Sequence, residues 1–341
     1  MIDKEQKIAA FDPNGVATNT NLFGLPFTYG ESETVVLPVP WEVTVSYQSG
    51  TANGPQAIKE ASLQVDLFDP LLKDAWQRGI YMLEVSPELR EKSNALRLKS
   101  ERYLENLETT PDQAILQEIN AGCGEMVQWV EESALQVLNE GKRLALLGGD
   151  HSTPLGFIKA LAQKHTSFGI LQIDAHADLR EAYEGFTYSH ASIMYNALAV
   201  KNVEKIVQVG IRDYCEAEND LMQNNDRVQA YFDRDIKNKA YQGHSWHKQC
   251  QSIIESLPEK VYLSFDIDGL DPKLCPNTGT PVAGGLEMSE VLYLLEELVK
   301  SGRTIIGLDL NEVAPGADEW DANVGARLLY KLCNLMTLSH Q

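Results

Sequence analysis

Short apolar runs alternate with longer amphipathic runs over most of this chain. Runs rich in Val, Ile, Leu and Phe are followed by segments whose apolar residues recur at helical spacing. The predicted strands are residues 34–38, 79–85, 143–147, 168–173, 205–209, 228–232, 261–265 and 304–308. The predicted helices are residues 56–65, 88–140 with a break at Pro111, 154–164, 189–200, 215–225, 247–257, 288–300 and 322–336.

This alternation predicts an α/β fold with a buried, mainly parallel sheet of about eight strands. Parallel strands need crossover connections, and the helices in those crossovers cover both faces of the sheet. No linker rich in Pro, Gly or Ser and no change in composition divides the chain after its start. We therefore expect one domain over residues 33–341. A polar arm over residues 1–32 is expected to lie on the surface or against another subunit.

Clusters of polar residues follow three of the predicted strands. They are Gly-Gly-Asp-His at 148–151 after the strand at 143–147, Asp174, His176 and Asp178 after the strand at 168–173, and Asp266 and Asp268 after the strand at 261–265. Each cluster alone can be interpreted as a helix cap or as solvated acids at a strand end. Because ligands bind at the carboxyl ends of strands in open parallel sheets, three such clusters favour one shared site.

Together the clusters offer four carboxylates and two imidazoles as metal ligands. These residues are His151, Asp174, His176, Asp178, Asp266 and Asp268. On an extended backbone, the alternate spacing of Asp174, His176 and Asp178 puts all three on one face. An oxygen-rich set without thiolates favours two Mn²⁺ ions, with Ni²⁺, Co²⁺ or Fe²⁺ as alternatives, over a four-ligand zinc site. Two neighbouring divalent ions can activate water for hydrolysis.

The strong acidity of the chain narrows the classes of partner. Its formal net charge of −20 at pH 7 argues against nucleic acid or an anionic membrane as a partner. The same charge suits a small cationic substrate, although acidic surfaces also serve solubility alone. Five scattered cysteines without a C-x-x-C pair indicate reduced thiols in a cytoplasmic protein. We also expect neither a signal peptide nor a membrane-spanning segment.

The three clusters resemble the metal motifs of a known enzyme family. Gly148-Gly-Asp-His-Ser152, Asp174-Ala-His-Ala-Asp178 and Ser264-Phe-Asp-Ile-Asp-Gly-Leu-Asp-Pro272 are similar to the motifs of the ureohydrolases. That family includes arginase, agmatinase, formimidoylglutamase and the guanidino-acid hydrolases. The resemblance runs from Val35 to Leu332, and all six ligand positions match. It implies a three-layer α/β/α sandwich, two Mn²⁺ per subunit, homotrimers or homohexamers, and release of urea from a guanidino group.

The resemblance also implies roles for three residues. Asp178 lies where the family's acid both ligates metal and hydrogen-bonds the attacking hydroxide. Glu312 matches the glutamate that pairs with the substrate guanidinium, a planar cation that suits a forked hydrogen bond. His190 resembles the histidine that shuttles a proton to the leaving amine, which its near-neutral intrinsic pKa suits. Without the resemblance, a surface acid at a strand end is the favoured interpretation of Glu312. For His190, a helix-start or packing histidine is the less favoured alternative.

The loop over residues 178–185 is most similar to the agmatinase branch. Its acids Glu181 and Glu184 would repel a substrate carboxylate and accept an amine, which favours agmatine over arginine and formiminoglutamate. Arg180 and Arg212 slightly weaken the case for a cationic substrate, although a structural ion pair is the alternative role for either residue. We expect Glu181 and Tyr183 to contact the substrate, together with the predicted guanidinium partner and proton shuttle.

Other segments depart from the usual agmatinase pattern. The segment over residues 41–51 is unlike the common Arg-Pro-Gly entry loop, and Val282-Ala283 replaces an acid-Pro pair. If aromatic residues close the pocket, free guanidine or a guanidino acid such as guanidinobutyrate or guanidinopropionate becomes an alternative substrate. The aromatic candidates are Trp41, Tyr47, Tyr183, Phe186 and Trp320.

Two other classes of function stay open as alternatives. A deacetylase of the related zinc fold would bind one metal, which six ligand positions and Glu312 argue against. A non-catalytic regulator of polyamine enzymes would be marked by lost ligands, whereas all six are present. We therefore predict a ureohydrolase that converts agmatine to putrescine and urea.

Overall fold

An eight-stranded parallel sheet forms the centre of the molecule in this computed structural model, which describes residues 3–341. The strands are β1 (Thr34–Val39), β2 (Ile80–Met82), β3 (Arg143–Gly148), β4 (Phe168–Ile173), β5 (Val203–Ile211), β6 (Val228–Phe232), β7 (Lys260–Asp266) and β8 (Thr304–Asn311). Their order is β2-β1-β3-β8-β7-β4-β5-β6, and all neighbouring pairs are parallel. The predicted α/β fold with eight strands is confirmed.

The described chain forms eleven helices, ten of which cover the two faces of this sheet. They are α1 (Lys4–Ala10), α2 (Gly54–Ala61), α3 (Pro87–Glu105), α4 (Gln113–Asn139), α5 (Leu155–Lys164), α6 (Ile193–Leu198), α7 (Glu216–Asn224), α8 (Asp233–Tyr241), α9 (Trp246–Glu255), α10 (Met288–Lys300) and α11 (Trp320–Leu338). Helices α2 and α8–α11 pack on one face, and α3–α7 pack on the other. In β4, Leu171 faces the first layer and Ile170 the second, which explains the continuous apolar run.

Two helices and one helix boundary differ from the sequence predictions. The sequence does not predict α1 or α8, since α1 is exposed or half-buried throughout and Ile236 is the apolar residue that α8 buries. The helix predicted at 189–200 is shorter, because a 3₁₀ turn at His190–Ser192 precedes α6. The predicted break near Pro111 is confirmed, between α3 and α4. Within residues 3–341, no helix is both long and apolar enough to cross a membrane.

The segment before β1 contributes side chains to the core. Leu25 is fully buried, and Phe23 is 3% exposed with its ring centroid 5.0 Å from that of Tyr330 on α11. The backbone N–H of Phe23 also donates to Oγ of Ser62 at 2.9 Å. The expectation of a surface arm is therefore wrong for this part of the segment, because its apolar side chains fill the layer beside α11. The domain boundary at residue 32 stays a prediction.

The strand order creates a crevice at the carboxyl ends of the central strands. Strands β3 and β4 follow each other along the chain, but β8 and β7 lie between them in the sheet. The connections on either side of such a reversal diverge and leave room for a ligand. The loops after β3, β8, β7 and β4 therefore begin side by side. These loops carry the residues that are predicted to bind metal and substrate.

Candidate metal centre and active site

The loops after β3, β4 and β7 bring all six predicted metal ligands together. His151 follows β3, the run over residues 174–178 follows β4, and Asp266 and Asp268 lie at the end of β7. Their nitrogen and carboxylate oxygen atoms form two groups of possible metal ligands, and Asp174 belongs to both. The predicted meeting of these side chains is thus observed, while their roles as ligands stay predictions.

The first group surrounds Nδ1 of His151. This atom lies 3.0 Å from Oδ2 of Asp174, 3.0 Å from Oδ2 of Asp178 and 3.4 Å from Oδ2 of Asp266. All four side chains are buried. Burial, and next the charge of Asp174, raises the pKa of Asp178 to about 7. Burial and two neighbouring carboxylates likewise raise the pKa of Asp266 well above its usual range.

Ser264 and Asp309 hold the ring of His151 from its other side. Nε2 of His151 lies 2.9 Å from Oγ of Ser264, and the Ser264 hydroxyl donates to Oδ1 of Asp309 at 3.1 Å. Because that hydroxyl hydrogen points to Asp309, Oγ accepts the Nε2–H hydrogen of His151. Nδ1 therefore faces the carboxylates and would present its lone pair to a bound metal ion.

The second group surrounds Nδ1 of His176. This atom lies 3.0 Å from Oδ2 of Asp268 and 3.6 Å from Oδ1 of Asp174. Asp174 thus directs one oxygen towards each group, as a carboxylate that bridges two ions would. Oδ1 of Asp268 accepts the backbone N–H of Ala175 at 3.0 Å, which fixes that carboxylate and leaves its Oδ2 for the group.

The two groups fit a pair of divalent cations. Among the described residues, Nδ1 of His151 and Oδ2 of Asp268 are buried polar atoms without a hydrogen-bond partner. Burial alone would lower the pKa of His151, but three neighbouring carboxylates raise it well above its usual value. The local field therefore favours added positive charge. Buried carboxylate oxygens with two imidazoles form the kind of donor set that Mn²⁺ and similar ions prefer.

A cavity of about 140 Å³ lies against His176 and Asp178. Its walls also include His190, the predicted proton shuttle, and Tyr183, a predicted substrate contact. The other lining residues are Ser46, Arg180, Ala191, Asp213, Glu218 and Thr280. The cavity thus joins one residue of each metal-ligand group to two residues that are predicted to act on the substrate.

Thr44 holds His190 in this cavity by two contacts. Oγ1 of Thr44 accepts the backbone N–H of His190 at 3.2 Å and lies 3.3 Å from Nδ1 of its ring. Thr44 itself is fully buried. Burial, and next the imidazoles of His176 and His151, lower the pKa of His190 to about 3, so its ring is neutral. Contact at Nδ1 leaves Nε2 of His190 available for proton transfer.

Glu312 lies beside His151 and outside the wall of the cavity. Its Oε1 accepts the backbone N–H of His151 at 2.8 Å, and the residue is 4% exposed. Burial, and next the charge of Asp150, raises the pKa of Glu312 well above its usual range. Glu312 has φ of 63° and Asp178 has φ of 54°. Such left-handed backbone costs a non-glycine residue about 1–3 kcal/mol and concentrates at functional sites.

Comparison with known proteins identifies the family of this chain. The family model described as "Arginase family" matches residues 32–334. The chain belongs to the arginase family. An N(1)-aminopropylagmatine ureohydrolase of Thermus thermophilus is 32% identical over 313 residues, which cover 91% of this chain and 92% of that protein. An agmatinase of Halalkalibacterium halodurans is 29% identical, with 85% of this chain and 86% of that protein covered.

The comparison with solved structures agrees with the fold. The crystal structure of an agmatine ureohydrolase of Thermoplasma volcanium has a TM-score of 0.71 and 23% sequence identity, with 98% of each chain covered. The arginase-like architecture, a parallel sheet between two helical layers, is thus confirmed. This arginase-family chain is an enzyme of the ureohydrolase class, and the alternative of a zinc deacetylase is wrong.

The loop after Asp178 carries the two other predicted substrate contacts of this ureohydrolase, Tyr183 and Glu181, which differ in their position relative to the cavity. Tyr183 lines the cavity, and the Arg180 guanidinium lies 4.6 Å from the centroid of its ring. Glu181 is exposed and lines a second cavity of about 430 Å³, which shares Arg180, Tyr183 and Glu218 with the first. The structure therefore brings Tyr183, but not Glu181, to the cavity beside the metal-ligand groups.

Of the five aromatic residues considered as pocket walls, Tyr183 alone lines the first cavity. Trp41 and Phe186 are fully buried within the core layer formed by α3–α7. Tyr47 and Trp320 are 71% and 46% exposed. The other four aromatic residues therefore do not line the first cavity, since two pack in the core and two face solvent. Their positions give no support to a short substrate such as free guanidine.

Glu218 is a residue of the cavity wall that the sequence analysis misses. It is 3% exposed, and its two carboxylate oxygens accept the backbone N–H groups of Leu179 at 3.0 Å and Cys215 at 2.9 Å. It also lies 3.6 Å from Nε of Arg180. Glu218 therefore fixes the loop after Asp178 against the start of α7. The sequence feature that could have indicated Glu218 is its place at the third position of a helix, where the glutamate of a capping box occurs.

Replacing Thr44 by Val should slow catalysis while the fold is kept. The change preserves side-chain volume but removes the hydroxyl that contacts both the backbone and the ring of His190. We expect kcat to fall about tenfold, a part of the roughly 10²–10⁴-fold that general acid–base catalysis contributes. The expected change in KM is small. Steady-state kinetics of urea release measure both quantities.

Thr44→Ser is the matched control for this prediction. It restores a hydroxyl at the same position, so most of kcat should return. A Thr44→Val enzyme with unchanged kcat would show that the contact with His190 has no role in catalysis.

Proposed function

We propose that this ureohydrolase converts agmatine to putrescine and urea with two Mn²⁺ ions. The observation that carries the proposal is the pair of ligand groups around His151 and His176, joined by Asp174. Such a pair fits hydrolysis assisted by two divalent ions. Mn²⁺ suits the oxygen-rich donor set, and Ni²⁺ is the main alternative.

The residues of the site divide the reaction between them. When bound, two divalent ions lower the pKa of water towards neutrality and so supply a nucleophile. Glu312 pairs with the guanidinium group and orients its carbon. Asp178 accepts a hydrogen bond from the attacking water. The water oxygen bonds to the guanidinium carbon, and the bond from that carbon to the nitrogen that carries the alkyl chain breaks. A proton passes through His190 to this nitrogen, which leaves as the amine.

A cationic tail is favoured by the acids around the two cavities. Glu181 and Glu184 line the second cavity, and the adjacent Arg180 is already paired with Glu218 and stacked on Tyr183. An ammonium group would be attracted to these acids, whereas a carboxylate would be repelled. The second cavity, of about 430 Å³, adds space beside the first. Its presence makes N-aminopropylagmatine, for which the Thermus thermophilus relative is named, the second candidate substrate.

A substrate panel tests the proposed reaction. Protein loaded with Mn²⁺ should release urea from agmatine, and removal of metal with EDTA should lower the rate by at least about 10²-fold. The panel compares agmatine, N-aminopropylagmatine, arginine, guanidinobutyrate, guanidinopropionate, formiminoglutamate and guanidine by kcat/KM. Release of urea from none of them would refute the proposed reaction and favour a non-catalytic regulator. A preference for arginine or a guanidino acid would refute the cationic tail.

We further propose that the enzyme is a cytoplasmic homotrimer or homohexamer with one catalytic domain over residues 33–341. Its ureohydrolase motifs support the assembly, and the net charge of −20 argues against nucleic acid or an anionic membrane as a partner. Light scattering after size-exclusion chromatography should give three or six times the subunit mass of 38.0 kDa. A monomer would refute the proposed assembly.

A further inference from the structure

Two buried glutamines lie side by side beneath the metal-ligand groups. Gln172 on β4 and Gln208 on β5 are paired in register, and both are fully buried. Their neighbours along these strands are mostly apolar. A buried amide is costly unless it is hydrogen-bonded, so polar groups at the centre of a sheet call for a physical reason.

The hydrogen bonds of this pair run in one direction, towards Asp174. Nε2 of Gln208 donates to Oε1 of Gln172 at 2.6 Å and to the carbonyl of Ala177 at 2.7 Å. Since Oε1 of Gln172 is an acceptor, its Nε2 is fixed as the donor at the other end of the amide. That Nε2 donates to Oδ2 of Asp174 at 2.7 Å and to the carbonyl of His176 at 3.3 Å.

Each oxygen of Asp174 therefore has one N–H donor and one facing imidazole. Oδ1 accepts the backbone N–H of His176 at 2.6 Å and faces Nδ1 of the same residue at 3.6 Å. Oδ2 accepts the amide of Gln172 and faces Nδ1 of His151 at 3.0 Å. The two donors fix the plane of the carboxylate. One lone pair of Oδ1 then points to the group around His176, and one lone pair of Oδ2 points to the group around His151.

We propose that Gln172 is a positioning residue for the metal ion held by His151, Asp174 and Asp178, and that Gln208 keeps its amide in place. The inference rests on the dinuclear metal centre of the proposed function. Oδ1 keeps its backbone donor whatever residue stands at 172. Loss of the Gln172 amide should therefore weaken the group around His151 selectively, while the group around His176 keeps its affinity.

Gln172→Met tests this inference, since methionine keeps the length of the side chain and removes the donor. Metal-free protein is titrated with Mn²⁺, and free Mn²⁺ is measured by electron paramagnetic resonance. Wild-type protein should bind two ions. In Gln172→Met, one ion should bind at least about tenfold more weakly, as for residues that orient metal ligands, and the other within about threefold of wild type. Gln229→Met, at an exposed position of β6, should match wild type.

Further variants assign the weakened site. Asp178→Asn removes a ligand from the group around His151, so the Gln172→Met/Asp178→Asn double variant should still bind one ion tightly. Loss of both ions in the double variant, equal weakening of both ions in Gln172→Met, or no weakening at all would each overturn the inference. Wild-type protein that binds fewer than two ions would instead overturn the dinuclear centre on which it rests.

A second variant covers the case in which Gln172→Met does not fold, as judged by circular dichroism. Gln208→Met leaves the donor of Gln172 in place and removes the partner that fixes its orientation. It should weaken the same single ion by a smaller factor, about threefold to tenfold. Wild-type affinity for both ions in Gln208→Met would then overturn the proposal.

Discussion

Asp178→Asn is expected to lose nearly all urea release together with one of the two bound ions. Oδ2 of Asp178 lies 3.0 Å from Nδ1 of His151, within the first metal-ligand group. The substitution replaces a carboxylate with a neutral amide and so removes an anionic ligand. Asparagine tolerates the left-handed φ of 54° at this position, so the loop should keep its conformation. We expect kcat to fall by about 10³-fold, and bound Mn²⁺ to fall from two ions to one.

Asp74→Asn is the matched control for this prediction. Asp74 is exposed, lies outside the site and has a similar φ of 53°. The same substitution in the same backbone conformation should therefore leave activity and metal content unchanged. Asp268→Asn removes a ligand from the other group, and it should also reduce bound Mn²⁺ to one ion. Full activity with two bound ions in both Asp178→Asn and Asp268→Asn would refute the dinuclear mechanism.

The architecture could be predicted because the amino-acid composition of each buried strand is apolar enough to mark it. The run Phe168–Ile173 is apolar at almost every position, as expected of a strand covered on both faces. Helix α8 could not be found in this way, since Asp233–Tyr241 packs little apolar surface and its face towards solvent is highly polar. Apolar periodicity reports burial, so a helix that buries little leaves no clear signal.

The members of the site could be predicted better than the way in which they meet. Asp174, His176 and Asp178 converge, but they do not share one face of a strand as the spacing suggests. β4 ends at Ile173, and the backbone turns left-handed at Asp178. Hydrogen bonds from the buried glutamines to the carbonyls of this run replace the regular pairing of a strand.

Contacts between distant parts of the chain were beyond prediction from local pattern. Thr44 and His190 are 146 positions apart, and Glu312 and His151 are 161 positions apart. The contact between Glu312 and His151 follows from the order of strands in the sheet, which places β8 beside β3. The contact between Thr44 and His190 joins the loops after β1 and β4, which other strands separate in the sheet. Apolar periodicity predicts that strands exist and does not give their order. The role of Thr44 therefore had no signal in the sequence.

Glu312→Gln should separate substrate binding from metal binding. Glutamine retains an oxygen that can accept the backbone N–H of His151, a bond of 2.8 Å in the structure. It loses the negative charge that would pair with the guanidinium group. Removing one member of a buried, hydrogen-bonded charge pair costs about 2–5 kcal/mol. We therefore expect kcat/KM for agmatine to fall by about 10²–10³-fold, measured by urea release at saturating Mn²⁺.

The metal content of Glu312→Gln decides what Glu312 does. Burial and the charge of Asp150 hold the pKa of Glu312 well above its usual range. A nearby cation would therefore stabilise the charged form of this carboxylate. If that cation is the substrate, the variant keeps two bound Mn²⁺ and loses activity, whereas Asp178→Asn loses activity and one of the two ions. If an ion is lost instead, Glu312 acts through the backbone of His151 on the metal centre. Unchanged kcat/KM together with two bound ions would show that Glu312 neither pairs with the substrate nor supports the metal centre.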